Sequence, residues 1–195
     1  PQPGQDRRLQ YTVDVKGTHN VLRACIDAGV RKLVVTSSGA AYGYHADNAR
    51  YLDEDAALRG NPAFAYAHHK RIVERLLALY RRRCPQLHQV VFRVGTILGA
   101  SVRNQITDLF EKPVVLGLRG ISTPFVFIWD QDVVACIVKG IVEQRTGIYN
   151  LAGDGTMTLF VSGGGLNNVN GLDFDAADAL YAANSSTGTV SRILP

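Results

Sequence analysis

The chain is predicted to be an α/β protein built on a doubly wound parallel sheet, with a short β-rich tail. Three observations predict this. Strand-like segments alternate with amphipathic helical stripes. Those segments are continuously apolar, as in a sheet covered on both faces. Gly and Pro punctuation separates one element from the next.

The elements follow in order. Thr18, Val21, Leu22, Cys25 and Ile26 recur at helical spacing, and Gly29 offers a stop. Leu33-Val34-Val35-Thr36 reads as a buried strand. Asn61-Pro62 reads as an N-cap with a first-turn proline, opening a helix that runs to about Arg83, before Cys84-Pro85. Val73, Leu77 and Tyr80 form one stripe on it, and Ile72, Leu76 and Leu79 a second. Val90 to Val94 is the next strand, Ile106 to Glu111 a short helix, and Phe125 to Ile128 an extended segment. Asp130 can cap a helix whose Val133, Val134, Ile137, Val138 and Ile141 face inward. Ile148 to Leu151 closes the pattern as a strand.

Composition narrows the function classes. The chain has 195 residues, 46% hydrophobic and 19% charged, enough for one domain with a real core. The net charge of +4 is concentrated in Arg7-Arg8 and Arg81-Arg82-Arg83, which suits helix ends better than a nucleic-acid surface with interleaved aromatics. No apolar run reaches membrane-spanning length. Three cysteines without C-x-x-C spacing point to a reduced, cytoplasmic protein rather than a disulfide framework. His68 and His69 are adjacent and point to different sides of a helix. They are expected to be solvent-facing, and no metal site is expected.

The chemistry lies in two segments. Tyr66 and Lys70, four apart on a helix, project from one face. The turn Thr36-Ser37-Ser38-Gly39-Ala40-Ala41-Tyr42-Gly43 follows a buried strand, so a serine hydroxyl can meet them across a cleft. A free tyrosine titrates near pH ~10 and is a poor base at neutrality, and a nearby ammonium favours its phenolate. Such a trio can handle the proton of a carbinol or carbonyl.

Further segments match in order: Asp14-Val15-Lys16-Gly17-Thr18-His19-Asn20-Val21-Leu22, Phe92-Arg93-Val94-Gly95-Thr96-Ile97-Leu98-Gly99, Pro124 to Val133, and Gly147 to Gly153. With the serine turn and Tyr66-x-x-x-Lys70, residues 13 to about 159 resemble the extended short-chain dehydrogenase/reductase family, the NAD-dependent epimerase/dehydratases. The resemblance implies a Rossmann-like fold and an NAD or NADP cofactor. It implies Tyr66 as general acid/base and Lys70 as its partner and ribose ligand. Ser38 would be the substrate hydrogen-bonding group, with Ser37 the alternative if the turn is offset by one. Val94, Gly95 and Thr96 would line the nicotinamide. A nucleotide sugar or similar hydroxyl/carbonyl small molecule would be the substrate. Relatives pair through two helices, so a homodimer is expected through the helix of Val21 and Cys25 and that of Ile72, Leu76 and Leu79.

Two departures stand out. The family usually has Asn where this chain has Asp14. Its strand–glycine turn–helix for pyrophosphate has no counterpart in these residues. The chain is therefore expected to be an N-terminally truncated relative lacking the first βαβ units, impaired in isolation or non-catalytic. Residues 1–159 are read as the truncated Rossmann-like domain. Residues 160–195, with Gly163-Gly164-Gly165 and short apolar runs between turn residues, read as a β-meander of foreign or frameshifted origin, similar to one propeller blade.

Overall fold

The computed structural model describes residues 6–110 and 125–153, together with the strands 172–174, 180–184 and 189–193. The described residues divide into two compact units, the first comprising residues up to 95 together with 131–152.

In the first unit, α1 (Arg7–Tyr11) continues through a π-helical turn, Thr12–Lys16, into α2 (Gly17–Asp27). Strand β1 (Lys32–Ser38) ends in a 3₁₀ turn, Gly39–Tyr42. Helix α3 (Ala65–Arg83) leads to β2 (His88–Val94). In the second unit, β3 (Thr96–Leu98), α4 (Gln105–Phe110) and β4 (Phe127–Trp129) follow. Helix α5 (Asp130–Val142) and β5 (Gly147–Leu151) return to the first unit.

The first unit's sheet is parallel in the order β1-β2-β5, with Val35, Val91 and Ile148 in register. Two-residue side-chain alternation sends those three to one face. There they meet Val15, Leu22, Val73, Leu77 and Leu87 in the main core. Val90 and Phe92 point to the opposite face, where a side chain at Gly140 of α5 would strike the Phe92 ring. Glycine at this point lets α5 lie close to the sheet, and helices cover both faces of it. Strand β2 is buried from Gln89 onward, whereas β1 is mostly half-buried at the sheet's edge among the described residues.

Three local expectations are corrected. Asn61 does not cap α3. Its side-chain oxygen accepts from the Tyr44 amide at 2.7 Å and its amide donates to the Tyr44 carbonyl at 3.1 Å. This two-way clamp uses both ends of the amide, so the helix starts at Ala65, after an uncapped Phe64. His69 is buried rather than solvent-facing, because it gains a carboxylate partner. In α5, Val133 is buried but Val134, Val138 and Ile141 are exposed. The helix carries more apolar residues than the line through Val133 and Gly140 can bury.

The loop between the 3₁₀ turn and α3 is tightly held. Gly43 has φ +85°, and a Cβ there would collide with the Gly60 carbonyl and the His45 ring. Only glycine combines that backbone with that approach. The Gly60 amide in turn donates to the Ala41 carbonyl.

In the second unit β3 and β4 are parallel, with Thr96 opposite Phe127. Strands β6 (Leu172–Phe174), β7 (Leu180–Asn184) and β8 (Thr189–Ile193) pair antiparallel in sequence order. Gly163-Gly164-Gly165 lies outside the described residues.

Candidate active site

Tyr66 and Lys70 stand one turn apart near the start of α3, as the i, i+4 spacing requires. The Lys70 ammonium lies over the Tyr66 ring, 5.5 Å from its centroid, and the ring is 39% exposed. An ammonium on an aromatic face is itself attractive, so the pair has a reason to hold this geometry.

Ser38 ends β1 and begins the 3₁₀ turn, its Oγ accepting from the Ala40 amide at 3.2 Å. That turn packs against α3. Ser37 is buried, and its Oγ has no hydrogen-bond partner among the described residues. Val94 is the buried last residue of β2, and the Gly95 amide donates to the Leu151 carbonyl at 2.9 Å. Thr96 opens β3, its amide donating to the Val126 carbonyl at 2.8 Å. The described geometry thus brings Tyr66 and Lys70 into contact. It places Ser38 at the C-terminal end of a parallel strand, where ligands of open α/β sheets bind.

A buried polar network anchors the turn after Ser38. Arg93 on β2 grips Glu74 of α3 with two nitrogens, at 3.0 and 3.2 Å. It donates through its third nitrogen to the Tyr42 hydroxyl and to the Glu54 carbonyl, both at 2.8 Å. Burial alone would lower the Arg93 pKa, but its bonds to Glu74 and Tyr42 carry it above the ordinary arginine value. The Tyr42 hydroxyl donates to the Asn150 side-chain oxygen at 2.7 Å, and the Asn150 backbone N–H donates to the Glu54 carboxylate at 2.7 Å. One network therefore joins β2, β5, α3, the 3₁₀ turn and the 52–54 loop.

Two side-chain groupings beside the site are not legible in the sequence, although Tyr66, Asp14 and His69 are each named there singly. Tyr44, Phe64 and Tyr66 form an aromatic run, with successive ring centroids 6.0 and 6.1 Å apart. The Tyr44 phenol is pushed above the usual tyrosine value, first by burial and then by its proximity to Tyr66. Asp14 bonds His69 at 2.9 Å, and Tyr11 meets the same imidazole edge-on with centroids 5.6 Å apart. Aromatics beside both motifs were the available signal for the first group. The second depends on the approach of two helices distant in sequence.

The residues suit the nicotinamide end of a dinucleotide, where a hydroxyl and an ammonium sit side by side. They do not suit the pyrophosphate end: among the described residues no glycine-rich turn leads from a strand into a helix.

Comparisons agree with this reading of the fold. The solved dTDP-glucose 4,6-dehydratase of Bacillus anthracis, in complex with NAD, superposes with a TM-score of 0.63 at 19% identity, over 78% of this chain and 50% of that one. The Thermus thermophilus UDP-glucose 4-epimerase complex with NAD gives a TM-score of 0.60 at 27% identity, over 73% and 49%. By sequence, the chain is 29% identical over 109 residues to the Saccharomyces cerevisiae sterol-4-alpha-carboxylate 3-dehydrogenase, decarboxylating, covering 56% of this chain and 31% of that protein. It is 54% identical over 33 residues to the Arabidopsis thaliana 3beta-hydroxysteroid-dehydrogenase/decarboxylase isoform 2, 17% of this chain and 6% of that protein. The chain thus spans less than a third of these curated relatives and about half of the structural neighbours. The model of the NAD dependent epimerase/dehydratase family matches residues 4–152, and the chain belongs to that family.

Proposed function

We propose that Ser38, Tyr66 and Lys70 form the proton-handling site of an NAD(P)-dependent oxidoreductase of the epimerase/dehydratase type. The observation that carries this is the Lys70 ammonium seated on the Tyr66 ring, on a helix that packs against the turn following Ser38. Tyr66 exchanges a proton with the substrate oxygen, Lys70 supplies the positive charge that favours the phenolate, and Ser38 hydrogen-bonds the same oxygen. Val94, Gly95 and Thr96 line the nicotinamide. The cofactor, when bound, takes up or returns the hydride.

The Thermus thermophilus neighbour is a UDP-glucose 4-epimerase, and a nucleotide sugar is the first substrate class. The aromatic run Tyr44–Phe64–Tyr66 favours a second reading, a flat alicyclic alcohol such as a sterol, in keeping with the names of the sequence relatives. The 195 residues alone are proposed to be impaired, because among the described residues no glycine-rich turn leads from a strand into a helix to cradle a pyrophosphate. The reading puts the protein in the cytoplasm and takes residues 160–195 as a non-catalytic addition to the Rossmann-like domain.

The test is NADH formation at saturating cofactor with a UDP-sugar and with a 3β-hydroxysterol. Slow turnover on either is expected to fall about 10²–10⁴-fold in Tyr66→Phe, and the responding substrate decides between the classes. Turnover unchanged by Tyr66→Phe contradicts the site. No turnover on any alcohol favours the alternative, a non-catalytic fragment that folds and self-associates.

A homodimer through α2 and α3 is proposed with it. Val21 is 52% exposed, and Ile72, Leu76 and Leu79 are only half-buried, leaving apolar surface on both helices. Sedimentation at micromolar concentration is expected to give a dimer, and a clean monomer would refute it.

A further inference from the structure

The first turn of α3 carries Tyr66, yet its N-cap residue, Phe64, makes no side-chain cap. Phe64 offers no side-chain acceptor to the free backbone amides that open the helix. An uncapped first turn frays unless tertiary contacts hold it. Beyond Tyr66, the next polar tether in the helix is His69, which is 5% exposed. Its Nδ1 lies 2.9 Å from Asp14 Oδ2, and the Tyr11 ring stands edge-on to it. Both partners come from the α1–α2 segment.

Asp14 is itself held firmly. It sits in the π-helical turn Thr12–Lys16, and such wide turns concentrate at functional sites. The Thr18 hydroxyl donates to the Asp14 carbonyl at 2.6 Å, fixing its backbone. Val15, the next residue, is buried in the main core with Leu22, Val73 and Leu77. A carboxylate on so fixed a backbone is a rigid acceptor. Tyr66, His69 and Lys70 stand at i, i+3 and i+4, neighbours on one helix surface. Whatever fixes the rotation of α3 at His69 also fixes where Lys70 rests on Tyr66.

We propose that the Asp14–His69 hydrogen bond is a positioning pair, holding the uncapped start of α3 so that Lys70 stays over the Tyr66 ring. Neither residue touches substrate or cofactor in this role. An imidazole protonated at Nδ1 donates to Asp14 whether or not Nε2 also carries a proton, so the bond needs only an acceptor at position 14. An Asn carbonyl oxygen supplies one too.

The inference rests on the Tyr66–Lys70 reading of the site, and the experiment separates the two. The Lys70 ε-methylene signal is followed by NMR in the 195-residue chain with ¹³C-labelled lysine, and assigned by its loss in Lys70→Arg. The Tyr66 ring current displaces it upfield. Tyr66→Leu is expected to abolish that displacement, and failure to do so refutes the site geometry on which the inference rests. Asp14→Ala is expected to abolish it in a folded chain, with folding checked by circular dichroism, while Asp14→Asn preserves it. Should Asp14→Ala not fold, Asp14→Ser replaces it, its shorter side chain falling short of His69. A displacement retained in the folded Ala or Ser variant overturns the proposal. So does its loss in Asp14→Asn, because a simple hydrogen-bond acceptor would then not suffice.

Discussion

Replacing Glu74 by Ala is expected to destabilise the fold by about 3–5 kcal/mol, the cost of stranding a buried charge. Arg93 and Glu74 are 4% and 3% exposed, and they meet through two parallel hydrogen bonds. Without the carboxylate, the guanidinium stays locked in place by Tyr42 and the Glu54 carbonyl, with its charge uncompensated. Against a typical stability of about 5–15 kcal/mol, that loss approaches unfolding. The damage also reaches the site, since the same arginine anchors the turn that follows Ser38. Urea unfolding of the variant checks this. The double replacement Glu74→Leu with Arg93→Met removes both charges and is expected to cost less than the two single changes added together. A loss below about 1 kcal/mol for Glu74→Ala would place the pair among exposed ion pairs in energetic terms and refute the network's role.

The second large effect concerns the cofactor. The 195-residue chain alone is expected to bind NAD(P)H several powers of ten more weakly than a protein with a complete dinucleotide cradle. In the proposed site Tyr66 and Lys70 reach only the nicotinamide half. A glycine turn at a helix N-terminus normally gives the pyrophosphate backbone donors and a favourable dipole. Each charge-assisted bond forgone is worth about 1.5–3 kcal/mol, and each 1.4 kcal/mol is a factor of about ten in affinity. Two or three such losses account for the weakening. Arg7 and Arg8 are exposed side chains and are poor substitutes for a preorganised cradle.

The parts legible in the sequence are those governed by local periodicity. Tyr66 and Lys70 meet because four residues make one helical turn. The strands at Leu33 and Val90 were marked by apolar runs between punctuation, and the helix end at Arg83 by Cys84-Pro85. The missed parts depend on partners distant in sequence. Asn61 has the composition of a cap, yet Tyr44 claims both ends of its amide. His69 looks like a surface residue until Asp14, 55 positions earlier, comes within 2.9 Å. The Arg93–Glu74 pair has no local signature, since a charge in a strand and another in a helix are ordinary until folding buries them together. In α5 the apolar periodicity was real, but it did not show how wide a stripe the sheet could cover, and Val138 and Ile141 remain exposed.

The central claim is that Tyr66 and Lys70 make the nicotinamide end of an oxidoreductase site. Fluorescence titration of NADH into the 195-residue chain and into its Lys70→Ala variant tests it most directly. The expected result is weak binding, visible only at millimolar cofactor, with a nicotinamide fluorescence enhancement that disappears in Lys70→Ala. An enhancement unchanged by Lys70→Ala would contradict the site. Saturation at micromolar NADH would contradict the claim that these residues lack a pyrophosphate cradle.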